Sequence, residues 1–253
     1  MIDTRAVVNR LRTIESLAII PRVASTNLVA RRIVTECIEN ELSLPQAMIV
    51  AREQFAGRGR NERSWSSPAG KGIYATTMIT RTVKELPVVP LLAAVIVAGY
   101  LRDSFEIDAR IKWPNDILAG GRKIAGILIE GRSRESKSYL LVGIGVNVEP
   151  VKDDLRPNAI SIRELAPALV DIDDATVRFI EYVDAALSRR PAREEVLTEW
   201  RRLSVHADGD AITCVVGERT VSGTWAGIDD HGRALVRTGG VTTAISAGDL
   251  NLA

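Results

Sequence analysis

Lys112-Trp113-Pro114-Asn115-Asp116-Ile117-Leu118-Ala119-Gly120-Gly121-Arg122-Lys123-Ile124-Ala125-Gly126-Ile127-Leu128-Ile129-Glu130 is the stretch that decides the fold. A strand over residues 110–112 stops at Trp113-Pro114, because proline has no N–H to donate and forces extended backbone on the residue before it. Gly120-Gly121 then reverses the chain into a second strand over residues 123–130, as a tight hairpin does. Part of the sheet is therefore antiparallel. Working outward, residues 138–148 read as the next strand, and 17–23, 47–51 and 72–79 as earlier ones. A helix capped near Ser25 places Ala30, Ile33, Val34, Cys37 and Ile38 on one face. A second helix over 90–105 carries proline in its first turn, and further helices follow at 162–165, 175–187 and 194–203.

From Asp210 the pattern changes to short strands at 211–216, 220–227, 234–237 and 242–246, separated by Gly-Glu, Asp-Asp-His-Gly and Gly-Gly turns. The expected fold class is α/β (α+β): a mixed sheet flanked by helices over residues 1–205, then a small C-terminal β-barrel over 206–253.

The 253 residues are 46% hydrophobic and 26% charged, the balance of an ordinary globular chain. A formal charge of +1 provides no overall field for nucleic acid or an anionic membrane, which disfavours a general RNA- or DNA-binding role. Cys37 and Cys214 stand far apart with no CxxC, and His206 and His231 are the only histidines, so disulfide frameworks, zinc sites and imidazole triads lack material. A reducing cytoplasm fits. The longest apolar run, residues 86–101, is broken by Pro87, Pro90 and Gly99 and is shorter than the roughly 20 residues of a bilayer-spanning helix, so a buried helix is expected. No secretory signal is legible at the N-terminus.

Chemistry concentrates in four places. The segment Gln54-Phe55-Ala56-Gly57-Arg58-Gly59-Arg60-Asn61-Glu62-Arg63-Ser64-Trp65 alternates arginine with glycine. Guanidinium forks match phosphate or carboxylate oxygens, and glycine lets the backbone approach a ligand; the plain alternative is a solvated flexible turn. Phe55 and Trp65 at its two ends favour a loop that closes on something apolar. Lys112, Asn115 and Asp116 sit at a strand end, where an ordinary Asn-Asp turn is the alternative. Lys123 is a lone lysine beside an apolar run and pays a desolvation penalty unless an anion meets it. Gly143-Ile144-Gly145-Val146-Asn147 offers small residues against which a flat ligand could lie, or a helix could pack. A Walker A loop and a dinucleotide fingerprint are both absent, so phosphates would be held by side chains and the Arg-Gly loop.

In this order, these elements resemble biotin protein ligases (biotin–[acetyl-CoA-carboxylase] ligase): Ser25-Thr26-Asn27, Gln54, Gly57-Arg58-Gly59-Arg60 with Arg63 and Trp65, Lys112 to Asp116, Arg122 to Glu130, and Gly143 to Asn147. The resemblance implies a catalytic domain like class II aminoacyl-tRNA synthetases, an SH3-like C-terminal barrel, and synthesis of biotinyl-5′-AMP from biotin and ATP with Mg²⁺. Biotin then passes to a lysine of a biotin carboxyl carrier protein. By the same resemblance Lys123 and Arg60 are catalytic. Ser25, Thr26, Asn27, Gln54, Gly57, Arg58, Gly59 and Gly126 join them at biotin, and Arg58, Arg63, Trp65, Lys112, Asn115, Asp116 and Asn147 at the adenylate. Mg²⁺ is expected near Asp116. About 16 residues precede the first strand, so the chain resembles the short form without a DNA-binding domain and no DNA binding is expected. A homodimer is left open, and a cytoplasmic setting with no membrane association is expected. The competing readings are a lipoate or octanoate ligase on the same fold and a non-catalytic RNA-binding module.

Overall fold

The computed structural model describes residues 2–135, 137–150, 158–169 and 171–252. Seven strands build the main sheet: β1 (Ser16–Ile20), β2 (Ala47–Ala51), β3 (Gly72–Thr82), β4 (Ala109–Lys112), β5 (Asp116–Ala119), β6 (Arg122–Arg134) and β7 (Lys137–Asn147). Their order is β1-β2-β3-β7-β6-β5-β4, with β1 and β2 parallel and every other neighbour antiparallel. The Gly120-Gly121 turn joins β5 to β6 with both glycines at positive φ, as the sequence indicates.

Because successive strand residues point to opposite faces, the sheet sorts its side chains between two helix layers. Helix α1 (Thr4–Val8) precedes β1. Helix α2 (Thr26–Glu39) buries Ala30 and Val34 on Ala47, Ile49, Met78 and Leu141. The alternate residues Met48, Val50, Ile79 and Val142 face the larger core, with α3 (Val89–Phe105), α5 (Ile172–Arg189) and α6 (Arg193–Leu203); the short α4 (Ile162–Leu165) follows β7. The helical stretch Lys84–Phe105 is 22 residues long, longer than its apolar run suggests, and by length and composition could cross a membrane. Here Ala94, Val97, Ala98, Tyr100 and Leu101 are completely buried, and Tyr100 meets Phe105 and Phe179 edge-on.

The C-terminal region has five strands, β8 (Ala211–Val216), β9 (Arg219–Ile228), β10 (Ala234–Thr238), β11 (Val241–Ile245) and β12 (Asp249–Leu252), in the antiparallel order β11-β10-β9-β8-β12. This corrects the expected barrel. Closure would require the two edge strands to pair; β12, a strand the turn pattern does not reveal, instead brings Gly248, Asp249 and Asn251 to the loop and strand end of the main sheet. The two regions share one core, in which Ile212, Trp225, Val236 and Leu250 continue the cluster of α3 and α5. At the seam the Trp113 indole N–H donates to Gly232 O at 3.0 Å, and the His206 ring lies 4.8 Å from that of Trp225. Burial, aided by the Lys112 charge, lowers the His206 pKa to about 4.

Candidate active site

Helix α2 covers only one end of its face of the sheet. Beyond it, Gly126 of β6 and Gly145 of β7 are direct cross-strand partners, as are Leu128 and Gly143. A side chain at Gly145 would collide with the Trp65 indole, which also lies 3.0 Å from where a Cβ on Gly126 would be. A side chain at Gly143 would strike the Asn27 amide. The small residues thus make room for the protein's own Asn27 and Trp65 on the sheet. Around them opens a cavity of about 850 Å³, the size of a small-molecule site.

Two groups of residues meet there. At the start of α2, Ser25 has the extended backbone of an N-cap yet makes no capping hydrogen bond through its side chain, and it lines the cavity with Thr26 and Asn27. All three are under 5% exposed. Gln54 Oε1 accepts from the Thr26 N–H at 2.8 Å, while its Nε2 donates to Ser67 Oγ at 2.8 Å. Asn27 Nδ2 donates to Glu130 Oε2 at 2.9 Å, and Glu130 also pairs with Arg31.

The second group is cationic. Arg58, Arg60, Arg63 and Lys123 all line the cavity, and each faces an acid. Lys123 Nζ is 2.6 Å from Asp116 Oδ1 and 5.2 Å from the centre of a Trp65 ring. Arg58 lies 3.9 Å from Glu130. Arg63 pairs with Asp249, which is 4.0 Å from Arg60. Arg60 Nη1 also donates to Asn115 Oδ1 at 3.1 Å and Gly248 O at 3.3 Å. Asn115 Nδ2 in turn holds Ile127 O at 2.8 Å, which fixes the strand-end turn to β6.

Most of the residues singled out from the sequence come together here, including Gly59, Gly126 and Asn147, whose Nδ2 bonds to Ile160 O at 3.0 Å and Lys123 O at 3.3 Å. Two do not line the cavity. Gly57 lies where the loop crosses itself, its missing side chain making way for Trp65 O and Ser67. Lys112 points to the C-terminal sheet, with Nζ 3.2 Å from Asn251 Oδ1. The aromatic pair also splits: Trp65 is an inner surface, whereas Phe55 is 64% exposed, with the Arg22 guanidinium 5.2 Å over its ring. Glu130, Thr76, Ser67 and Asp249 belong to the site or its support without having been assigned from sequence. The one legible signal is Glu130, a lone acid ending an apolar strand.

Residues 20–147 match the Biotin/lipoate A/B protein ligase family, and residues 209–250 the Biotin protein ligase C terminal domain. The chain is 29% identical over 212 residues to the biotin–[acetyl-CoA-carboxylase] ligase of Mycobacterium tuberculosis, covering 80% of this chain and 77% of that one. It is 33% identical over 213 residues to the enzyme of the same name from Paracoccus denitrificans, covering 76% and 84%. In fold it is similar to a biotin protein ligase from Aquifex aeolicus solved with biotin and ATP, with a TM-score of 0.76 at 24% identity, over 94% of this chain and 100% of that chain.

Proposed function

This chain belongs to the biotin/lipoate A/B protein ligase family, and we propose that it is an ATP-dependent biotin protein ligase, with a biotin carboxyl carrier protein as acceptor. The observation that carries this reading is one cavity holding neutral hydrogen-bonding groups at Ser25, Thr26, Asn27 and Gln54 beside the cations Lys123, Arg58, Arg60 and Arg63. An uncharged cyclic urea suits the first set and a polyphosphate the second.

In the first step a biotin carboxylate oxygen attacks the α-phosphorus of ATP, and the bond to pyrophosphate breaks. Two unit negative charges about 4 Å apart repel by roughly 4 kcal/mol at an effective dielectric of 20, so fixed cations are needed where they meet. Lys123 is assigned that position. Its pairing with Asp116 orients the ammonium before substrate arrives, which is the preorganisation that makes such a charge effective. Arg60 and Arg58 close over the carboxylate and α-phosphate, Arg63 meets the distal phosphates, and Trp65 and Asn147 take the adenylate. In the second step the neutral amine of a carrier lysine attacks the acyl carbon, the bond to AMP breaks, and the amine gives up a proton. The same loop excludes water from the mixed anhydride meanwhile.

Among the described residues no three His, Cys, Asp or Glu side chains gather as a metal cage. Magnesium commonly binds phosphates plus one or two carboxylates, and Asp116, which lines the cavity, is the carboxylate that would meet the ion of MgATP. Bound there with ATP, the ion would neutralise charge on the phosphates.

Incubation with biotin, MgATP and a biotin carboxyl carrier domain should label the carrier on an avidin blot. Folded enzyme that leaves it unlabelled overturns this reading, and labelling with lipoate in place of biotin moves the chain to the other branch of its family.

A further inference from the structure

We propose that Arg31 is a positioning residue for the arginine loop: by neutralising Glu130 from α2, it lets the Arg58 guanidinium leave that carboxylate for the substrate. The inference rests on the ligase reading and concerns how one of the cavity's cations becomes available.

Asn27 and Arg31 stand four residues apart on α2, and so on one face of it. Both reach Glu130 on β6: Asn27 Nδ2 donates to Oε2 at 2.9 Å, and the Arg31 guanidinium pairs closely with Oε1. Arg58 Nη1 approaches that same Oε1, but only to 3.9 Å. One carboxylate oxygen is thus shared between a helix and a loop, and the helix holds it more tightly. Neither Arg31 nor Glu130 lines the cavity, whereas Arg58 does.

Arg58 is assigned to the biotin carboxylate and α-phosphate, and closing over them takes it away from Glu130. That side chain is 21% exposed, and a carboxylate so enclosed that lost its only cation would be left unpaired and poorly solvated, which counts against substrate binding. With Arg31 in place, Glu130 stays neutralised whether Arg58 is present or not. Without Arg31, carboxylate and substrate would compete for one guanidinium. An ion pair that merely tied α2 to β6 would change stability and leave Arg58 as it is, so the behaviour of Arg58 itself separates the two roles.

Trypsin must take an arginine side chain into its own pocket, so cleavage after Arg58 reads how firmly that side chain is held. Arg31→Met keeps an unbranched stem and removes the charge. In the ligand-free variant, cleavage after Arg58 relative to cleavage after Arg63, followed by fragment mass, should fall about two- to fivefold. KM for biotin in pyrophosphate release at saturating MgATP should rise by a similar factor, the range expected of partly exposed ion pairs. Arg31→Lys should restore both values. Adding Glu130→Gln to Arg31→Met should restore the cleavage ratio, since no charged carboxylate remains to hold Arg58. Arg31→Gln carries the same expectations should the methionine variant not fold. An unchanged or raised cleavage ratio in a folded variant, a fall that persists with Glu130→Gln, or an unmoved biotin KM overturns this inference and leaves the ligase reading standing. No biotin-dependent release by the wild type overturns both.

Discussion

The polar cluster at the start of α2 and the arginine loop border the same cavity but are held in opposite ways. Thr26, Asn27 and Thr76 are almost wholly buried and bonded to one another and to β6. The loop's guanidiniums are partly exposed, Arg63 at 69%, and the acids that hold them belong to other elements: Glu130 on β6 and Asp249 on the C-terminal sheet. One region has its geometry before a ligand arrives; the other is restrained by ion pairs of a kind that contribute little each in water. The difference matches the tasks assigned here. A neutral ring is recognised by fixed directions, and a polyanion is captured by charges that can move.

Lys123 belongs to neither region and gives the largest effect. Its role is charge at the reacting centre, so Lys123→Gln should lower adenylate formation by 10²–10³, about 3–4 kcal/mol, with the fold intact by circular dichroism. A variant retaining more than about a tenth of the wild-type rate removes that assignment.

The loop side of the comparison can be broken with trypsin. Arg58, Arg60 and Arg63 are cleavage sites on an unburied segment, and the free protein should be nicked there first. Ligands at about 100 times their dissociation constants stabilise the closed form by roughly 2.7 kcal/mol, which slows cleavage about a hundredfold if cutting requires opening. Biotin with ATP should give that protection and biotin alone part of it. Equal cleavage with and without bound ligand would show that the loop is no lid.

Two glycines sharpen the contrast from inside. Gly143→Ala drives a methyl into the Asn27 amide, and overpacking of this kind costs about 1–3 kcal/mol, so biotin affinity by calorimetry should fall about tenfold or more. Gly59→Ala, on the loop, meets nothing nearer than Arg63 O at 3.4 Å and should stay within about twofold. Similar losses in both would mean that the two regions are equally rigid.

How far the sequence reveals this arrangement differs along the same divide. The hairpin after Lys112, the helix start at Ser25 and the Gly-Arg loop follow from proline, glycine and hydrophobic period, which act locally. What the sequence does not reveal is that the Ser25 side chain, at an N-cap, caps nothing. Thr76 gives no local sign, since a threonine among Ala75, Thr77 and Met78 in the buried part of β3 reads as core. Asp249 lies 186 residues from the arginine it pairs with, on a strand too short and polar to stand out. The open C-terminal sheet is equally illegible: turn spacing counts strands, whereas closure depends on which edges find partners.

Asp249 offers the smallest effect and a sign that separates two roles. In the ligand-free protein it pairs with Arg63 and stands 4.0 Å from Arg60, both assigned here to ATP, so a polyphosphate must take guanidiniums that a carboxylate already holds. Asp249→Asn removes the competing charge at nearly constant shape. Partly exposed pairs are worth about 0.2–1 kcal/mol, which sets the expected drop in KM for ATP at no more than about fivefold. KM for biotin should not move, because the α2 cluster shares no partner with Asp249, and trypsin should cut the freed loop somewhat faster. If KM for ATP instead rises, Asp249 acts with the nucleotide, as a carboxylate meeting magnesium would. The arginine loop would then be held open for ATP by the C-terminal sheet rather than shielded from it.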